Sequence, residues 1–307
     1  MIISASRRTD IPAFYAEWFM NRVRAGWCEV PNPFRPSVAT RISLAPEAVD
    51  AIAFWSKNPA PMLPRLDELD ARGLRYYFLY TLNDYPAEIE PGVPPLSDRL
   101  EAFRALAGRV GPSRVVWRYD PIILSERMGA AWHLEAFSRL AGALAGRCER
   151  VIISFLDFYR KTARRLARVE ADGGDRVLRD PFALPEFEAF ARGLAVAAAR
   201  AGLRVQSCAE DPRLLAAGIE PGKCIDDRLI QDLFGRVAPG AKDAGQRPAC
   251  GCVRSKDIGV PDTCPHGCEY CYSTRSAAFA DTRWRAHDPQ APALIAAPLT
   301  PTAPAAR

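Results

Sequence analysis

The stretch Tyr76-Tyr-Phe-Leu-Tyr-Thr81 decides the fold, together with the segment Ser97–Val110 that follows it. A short aromatic and apolar run bounded by polar residues is typical of a strand buried on both faces of a sheet. Ser97, followed by Asp98 and Glu101, predicts a capped helix, because a hydroxyl and acidic residues favour a helix N-terminus. A buried strand followed by an amphipathic helix makes one βα unit.

The same alternation recurs along the chain and predicts a parallel sheet with helices packed on it. The predicted strands are Ile2–Ser6, Ala51–Trp55, Tyr76–Thr81, Val115–Tyr119, Val151–Phe155 and Leu203–Cys208. The predicted helices are Pro12–Ala25, Pro59–Arg72, Ser97–Val110, Ala130–Arg147 and Leu184–Ala201, with C-cap glycines at Gly73 and Gly202. Six units over residues 1–211 precede a cysteine-rich segment, 212–288, and an Ala/Pro-rich end, 289–307, which we expect to be disordered.

Composition excludes several classes of protein. The 307 residues are 49% hydrophobic and 25% charged, so the chain is not disordered throughout. Arg7 and Arg8 interrupt the first apolar residues, and the apolar segment Gly193–Leu203 falls short of the ~20 residues that span a bilayer. We therefore expect a cytoplasmic protein without a membrane partner. In a reducing compartment, nine cysteines indicate metal or redox chemistry rather than disulfides.

The charge of the chain permits a nucleic-acid partner without favouring one. The net charge is only +5, and a strong electrostatic footprint would need cations clustered along one face. The densest cations have helical spacing and indicate a solvated helix face. They are Arg160, Lys161, Arg164, Arg165 and Arg168.

Polar and charged residues follow the predicted strands at their carboxyl ends, where the sites of parallel α/β proteins lie. These rim residues would meet at one edge of the sheet, so they form a candidate surface for a substrate or cofactor. Asp10 and Asp120, each close to a proline, are equally typical of turns. The candidate catalytic residues are Arg8, Asp10, Lys57, Asn58, Arg118, Asp120 and Glu210.

Three thiols near the end of the chain, Cys264, Cys268 and Cys271, have the spacing C-x3-C-x2-C. Ligands this close in sequence can bind one metal centre at little cost in chain entropy. Zinc held by the last two thiols and two from elsewhere in the chain is one interpretation, but it leaves the first thiol unused. A ferredoxin-like electron carrier is another, although its cysteine order differs.

Other cysteines and one histidine lie around this motif. Four further cysteines suffice for a second iron–sulfur cluster or for a zinc ion. They are Cys208, Cys224, Cys250 and Cys252. We interpret Cys28 and Cys148, both in stretches of helical pattern, as small buried residues. A three-cysteine site does not need His266, for which we expect a supporting or exposed role.

The pattern Cys264-x3-Cys268-x-Tyr270-Cys271 resembles the cluster motif of the radical S-adenosylmethionine superfamily. The resemblance implies that the three cysteines hold a [4Fe–4S] cluster whose fourth iron binds S-adenosylmethionine, with Tyr270 beside the last ligand. It also implies a partial TIM-like (β/α)6 barrel, with the C-terminal cluster-binding segment over its mouth. The motif follows the sixth predicted strand in this chain, whereas it follows the first strand in typical members.

The same resemblance implies a reaction. An electron from a flavodoxin or ferredoxin would cleave S-adenosylmethionine to methionine and a 5′-deoxyadenosyl radical, which takes a hydrogen atom from the substrate. The rim residues would bind S-adenosylmethionine or that substrate, an unknown small molecule or macromolecule. Two alternatives stay open: a non-catalytic iron–sulfur or zinc protein for binding or electron transfer, and an enzyme that repairs or modifies nucleic-acid lesions.

Over most of its length the chain more closely resembles an uncharacterised bacterial family, domain of unknown function 1848. The likeness rests on Ile3-Ser-Ala-Ser-Arg-Arg-Thr-Asp10, Phe54-Trp-Ser-Lys-Asn-Pro59, Trp117-Arg-Tyr-Asp-Pro121, Cys250-Gly-Cys252 and Cys264–Tyr272. It implies a fold and a cluster, but it implies no substrate.

Overall fold

Ten strands and ten α-helices occur in residues 1–32, 35–173 and 175–295, which are the residues that the computed structural model describes. The strands are β1 Ile2–Ala5, β2 Trp27–Asn32, β3 Arg35–Ser43, β4 Ala51–Ser56, β5 Tyr76–Thr81, β6 Val115–Ile122, β7 Arg150–Phe155, β8 Arg204–Ser207, β9 Glu220–Pro221 and β10 Lys256–Asp257. The helices are α1 Ile11–Phe14, α2 Ala16–Ala25, α3 Leu66–Ala71, α4 Leu96–Val110, α5 Ala130–Leu144, α6 Arg160–Gly173, α7 Phe187–Arg200, α8 Arg213–Ala216, α9 Asp227–Phe234 and α10 Ala277–Arg285. None of these helices combines the length and the apolar character that crossing a membrane requires.

Eight of the strands form one sheet, in the order β10-β1-β4-β5-β6-β7-β8-β9. Neighbouring strands run parallel along the whole order. The six predicted strands and the parallel sheet are therefore confirmed. The two-residue strands β9 and β10 form the edges, and no pairing joins them within the described residues. The fold is mixed α/β, and a closed barrel is not observed.

The chain crosses from one edge of this sheet to the other after β9. Residues 222–255 contain α9 and lead to β10, which pairs with Ile3 and Ser4 of β1. The first and the last strands of the sheet in sequence are therefore neighbours in space. The loop that follows β10 therefore starts beside the loop that follows β1.

The sheet has a separate apolar core on each face, because successive strand residues point to opposite sides. Ile52, Phe54 and Phe78 pack with the helices, including α2, α4, α5 and α7. Ala53 and Leu79 pack on the opposite face, which α9 and four cysteines cover. Those cysteines are Cys208, Cys224, Cys250 and Cys252. Burial on both faces explains why the strands read as continuous apolar runs.

Two of the predicted helices are interrupted. The one predicted over Pro12–Ala25 divides at Tyr15, which caps both α1 and α2. The one predicted over Pro59–Arg72 begins as a 3₁₀ helix, Ala60–Arg65, because its prolines lack the N–H that an α-helix needs. The other three predicted helices differ from α4, α5 and α7 by no more than three residues at either end.

The predicted caps have mixed outcomes. Ser97 is not the N-cap of α4, because Pro95 holds that position and the helix already begins at Leu96. The Ser97 hydroxyl donates instead to the Asp98 carboxylate, at 2.9 Å. Gly73 and Gly202 both follow helices in the left-handed conformation, with φ of 72°, as predicted.

The antiparallel hairpin of β2 and β3 has no counterpart in the prediction.

Cys28 lies in β2 and Cys148 lies between α5 and β7, so neither is helical. Both are buried, which confirms their interpretation as small apolar residues. α2 ends at Ala25, as predicted, and Gly26 follows it in the left-handed conformation with φ of 77°.

The disorder expected from Pro289 onwards is wrong for residues 289–295. Three side chains of α2 donate hydrogen bonds to backbone carbonyls there: Trp18 to Ala291, Asn21 to Pro289 and Arg22 to Gln290, each at 3.0 Å. Leu294 is buried against the same core. Composition misses this docking, because backbone carbonyls supply most of the contacts. Residues 296–307 lie outside the described residues.

His133 of α5 is buried and uses both ring nitrogens. Its Nδ1 is 2.7 Å from the Tyr119 hydroxyl, and its Nε2 is 2.9 Å from the Ile123 carbonyl oxygen. A carbonyl only accepts, so Nε2 carries the proton and the tyrosine donates to Nδ1. Burial lowers the pKa of His133 to about 4, although the bond to Ile123 opposes this shift.

We predict that protonation linked to His133 lowers the free energy of unfolding by about 3 kcal/mol between about pH 6.5 and pH 4. In that window the unfolded imidazole takes up a proton that the folded one does not. Urea unfolding at a series of pH values measures the slope. His133→Gln should lose this part of the slope, and an unchanged pH dependence in the variant would contradict the assignment.

Candidate cofactor and substrate site

A cavity of about 500 Å³ opens at the carboxyl ends of the parallel strands. Its volume lies in the range of small-molecule sites, ~300–1,000 Å³. Residues that end β1, β4, β6 and β7 form one side, and residues 245–252 and 264–272 contribute another. All seven cysteines predicted as metal ligands line it: Cys208, Cys224, Cys250, Cys252, Cys264, Cys268 and Cys271.

Asp10 joins three loops at one end of the cavity. Its Oδ1 accepts hydrogen bonds from Ala13 N at 3.0 Å and from Ser56 Oγ at 2.8 Å. Its Oδ2 accepts from Lys57 N at 2.7 Å and faces His266 Nε2 at 2.9 Å. Four partners use the hydrogen-bonding capacity of this carboxylate. Asp10 therefore positions the loops after β1 and β4 and the cysteine loop, residues 258–276 between β10 and α10. It has little capacity left for a ligand.

His266, between the first two thiols of the motif, anchors the cysteine loop from within. Its Nδ1 is 3.1 Å from the Gly92 carbonyl oxygen, while Nε2 faces Asp10. Both ring nitrogens are therefore engaged, one by a carbonyl oxygen and the other by a carboxylate. His266 is buried, and neither nitrogen is free for a metal. Its role is the supporting one.

The contact between Gly92 and the cysteine loop needs glycine. A Cβ atom at Gly92 would lie 2.7 Å from the carbonyl oxygen of His266, which is closer than carbon and oxygen can approach. The Gly92 amide donates to that same oxygen at 2.9 Å. Gly267 turns the loop next to it, with φ of 68°. The loop is thus docked by its backbone on the segment before α4.

Two other elements hold the cysteine loop by its carbonyl groups. The Tyr15 hydroxyl donates to Thr263 O at 2.6 Å. Arg165 of α6 donates to Thr274 O at 2.8 Å and also to Cys271 O. Arg165 is buried, so the prediction of a solvated face is wrong for this one member of the basic cluster. The chemical reason is that a guanidinium offers donors in several directions and so can satisfy two carbonyls.

Lys57 and Tyr270 meet on a buried carboxylate. Lys57 Nζ lies 2.7 Å from Glu90 Oε1, and the Tyr270 hydroxyl donates to the same oxygen. Burial alone would raise the pKa of Glu90, but Lys57, Tyr270 and Arg99 outweigh it and lower that pKa. The Tyr270 hydroxyl is therefore already engaged, while its ring and the Lys57 ammonium line the cavity next to Cys268.

The three thiols of the motif differ in environment. Burial raises the pKa of Cys268 to about 12, although the Lys57 ammonium opposes the shift. Burial also raises the pKa of Cys264. As free thiols both stay protonated near neutral pH, so a metal would have to displace their protons. Within the described residues, no three or more Cys, His, Asp or Glu side chains already have the spacing of a bound ion.

The other four cysteines form a compact group. The sulfur atoms of Cys208 and Cys224 are 3.7 Å apart. Cys252 interacts with Cys208, Cys224 and Cys250, and its Sγ accepts a hydrogen bond from Ile225 N at 3.4 Å. All four side chains are buried. Neither cysteine group contains a disulfide.

Comparison with known proteins places the chain in a family. The family model described as "Domain of unknown function (DUF1848)" matches residues 2–273. The chain belongs to this family. The match covers the whole sheet, the cavity and both cysteine groups of the DUF1848 protein. A search of curated proteins found no match.

The predicted rim residues of the DUF1848 chain divide into two sets. Arg8, Asp10, Lys57, Arg118 and Asp120 line the cavity. Arg118 pairs with Asp120 and lies 4.7 Å above the ring of Trp55. Burial alone would lower the pKa of Arg118, but Asp120 and the nearby Cys224 and Cys208 raise it. Arg118 therefore stays charged between the two cysteine groups.

Asn58 and Glu210 do not line the cavity. Asn58 Oδ1 accepts a hydrogen bond from the backbone N–H of Ala60, at 3.3 Å, where the 3₁₀ helix begins. Glu210 accepts from Phe155 N at 2.9 Å. Burial raises the pKa of Glu210 to about 8, against the opposing effect of Arg247. Both residues follow strand ends as predicted, Asn58 after β4 and Glu210 after β8, but they act on the backbone beside the cavity.

Several cavity residues were not among the candidates. Asp257 accepts from Ser4 Oγ at 2.9 Å and from Ser6 Oγ at 2.7 Å, and so fixes the end of β1. It ends a two-residue strand, which leaves no periodic signal. Arg7 Nη2 and Thr9 Oγ1 are buried without a hydrogen-bond partner among the described residues. The clustering of polar residues after the first predicted strand was the only signal for these two.

We predict that Asp10→Ala lowers the free energy of unfolding by about 3 kcal/mol or more, because it leaves several buried donors unpaired. Urea denaturation of purified protein measures the change. Asp84→Ala is the matched control, since Asp84 pairs with Arg139 at the surface and should cost about 1 kcal/mol or less. Equal losses in the two variants would contradict the role given to Asp10.

Proposed function

We propose that this DUF1848 protein is a radical S-adenosylmethionine-like [4Fe–4S] enzyme acting on an unidentified substrate. We further propose that its sheet forms a partial (β/α)6 barrel with the cysteine-rich segment as its cluster-binding part. One observation carries the proposal. The thiols of Cys264, Cys268 and Cys271 line a cavity of about 500 Å³ at the carboxyl ends of the parallel strands, together with cations on those ends.

The spatial position of the motif supports this assignment. β10 pairs with β1, and the cysteine loop follows β10 directly. The loop therefore leaves the sheet beside the first strand, which is the strand that the motif follows in typical members of the superfamily. The motif comes late in the sequence of this chain, but it lies beside the first strand in space.

The chemistry of the donor set fits a cluster with one open iron. The loop offers three thiols, and His266 has no free nitrogen to act as a fourth ligand. Thiolates are the usual ligands of iron–sulfur clusters. The Lys57 ammonium lies near Cys268 and favours negative charge there. Cys264, Cys268 and Cys271 would hold the cluster, with one iron left without a protein ligand.

A bound cluster would supply one-electron reductive cleavage of S-adenosylmethionine to methionine and a 5′-deoxyadenosyl radical, which takes a hydrogen atom from the substrate. The electron would come from a flavodoxin- or ferredoxin-type donor. The nine free cysteines fit a reducing, cytoplasmic compartment.

The residues of this chain would bind and orient the ligands. Arg7 Nη2 and Thr9 Oγ1 have no partner among the described residues and line the cavity. A guanidinium and a hydroxyl in this position suit a carboxylate or hydroxyl of a bound molecule. Arg118, held over Trp55 by Asp120, adds a fixed positive charge. Asp10 and His266 hold the cysteine loop beside these groups.

The proposal is tested with anaerobically reconstituted full-length protein, a chemical reductant and S-adenosylmethionine. We expect 5′-deoxyadenosine, measured by liquid chromatography and mass spectrometry. Cys271→Ala should reduce its formation at least 100-fold, whereas Cys148→Ser, a buried cysteine away from the cavity, should retain it. If the cluster is reconstituted but no 5′-deoxyadenosine forms, the proposed enzyme activity is wrong. The protein would then be a non-catalytic iron–sulfur protein.

One observation favours nucleic acid as the alternative substrate class. α6 exposes cations directly after Tyr159, and the exposed rings of Tyr159 and Tyr272, 5.7 Å apart, line the cavity. Aromatic rings and cations together suit single-stranded nucleic acid. The exposed cations are Arg160, Lys161, Arg164 and Arg168.

For this alternative, the logarithm of the binding constant for single-stranded DNA should fall with the logarithm of salt concentration, with a slope of about −3 if four phosphates are contacted. Fluorescence anisotropy at several salt concentrations measures it. Lys161→Glu/Arg164→Glu should weaken binding and flatten the slope, while Arg192→Glu on the exposed surface of α7 should not. Binding that is absent, or insensitive to these charges, would exclude this substrate class.

A further inference from the structure

We propose that Cys208, Cys224, Cys250 and Cys252 bind one zinc ion as a tetrathiolate. This site would be distinct from the three-thiol motif, and it would be structural. The inference does not depend on the proposed enzyme activity, because it concerns other cysteines and a metal without redox chemistry.

One pair of these sulfurs has the spacing of two ligands that share a single ion. In a tetrahedral site with Zn–S bonds of about 2.3 Å, neighbouring sulfurs lie about 3.8 Å apart. The Cys208 and Cys224 sulfurs are 3.7 Å apart. Cys208 and Cys252 each interact with the other three members of the group. In a [4Fe–4S] cluster each thiolate binds a different iron, so its sulfurs must lie farther apart.

The group contains no disulfide. A disulfide needs sulfurs about 2.05 Å apart, far closer than 3.7 Å. The Ile225 amide donates to Cys252 Sγ at 3.4 Å. Backbone donors of this kind stabilise a thiolate more than a thiol. The four sulfurs together do not yet have the spacing of a bound ion within the described residues, so binding would draw them closer as they lose their protons.

Positive charge lies close to these sulfurs. The guanidinium groups of Arg7, Arg118 and Arg247 all interact electrostatically with cysteines of the group. Zinc with four thiolates carries two negative charges, so these cations would compensate a charge that four neutral thiols do not have. Each arginine also faces an aspartate, and the positive charge is therefore shared between the carboxylates and the sulfurs.

The connectivity explains what such an ion would stabilise. Cys208 follows β8, Cys224 follows β9, and Cys250 and Cys252 lie in the irregular segment that leads to β10. One ion would link these three segments on the face of the sheet that α9 covers, beside Ala53 and Leu79. A segment with few regular elements gains most from such a link, because the metal supplies folding free energy.

The experiment measures zinc and iron per chain by plasma mass spectrometry in full-length protein purified without added metal. We expect about one zinc per chain in the wild type, and in a Cys264→Ala/Cys268→Ala/Cys271→Ala variant that lacks the three-thiol motif. Cys208→Ser/Cys252→Ser should lower zinc at least tenfold. Cys148→Ser is the matched control, since it also removes a buried thiol, and it should keep the zinc.

A second measurement covers the case that the double serine variant does not fold. Wild-type and triple-alanine protein are stripped with a chelator, and Co²⁺ alone is added as a probe. Intense visible and sulfur-to-metal absorption at one equivalent is expected from a tetrahedral tetrathiolate. Weak octahedral bands would overturn the proposal, as would zinc that persists in the double serine variant or iron with sulfide in the triple-alanine variant. Loss of 5′-deoxyadenosine formation with zinc intact would affect only the proposed enzyme activity.

Discussion

The Asp10 carboxylate receives hydrogen bonds from the first turn of α1, from the loop after β4 and from His266 of the cysteine loop. A buried charge is costly unless it is fully paired, so each of these partners constrains the others. Strand ends and a loop 250 residues apart in sequence are thereby held in one arrangement. The candidate site exists in its present geometry because this one group is satisfied only when all three segments are in place.

The sequence predicts the central sheet well because burial on both faces makes a strand such as Tyr76–Thr81 apolar throughout. It does not predict β9 and β10, since two residues carry no periodicity and pair only where neighbouring strands already exist. The hairpin Trp27–Ser43 is missed for another reason. Pro31 lies within β2, and a proline argues against a strand in sequence because it lacks the N–H that a β-ladder uses. Tertiary pairing decides such elements, and local propensity does not.

Strand ends also predict much of the candidate site, because parallel strands bring their carboxyl ends together. Lys57 and Arg118 line the cavity for this reason. The roles of Glu90 and Arg165 could not be predicted, since one lies in a long loop and the other looks like part of a solvated helix face. Both act on the cysteine loop, and their partners are known only once the fold brings that loop to them.

The docking of residues 289–295 on α2 has a practical consequence for shortening or fusing the chain. Trp18, Asn21 and Arg22 take their acceptors from Pro289, Gln290 and Ala291, so a cut at residue 288 would leave three donors without partners and uncover the side of α2. The family match ends earlier still, at residue 273. A truncation at the family boundary would therefore remove both α10 and residues 289–295. A fusion partner joined beyond residue 295 would leave both in place.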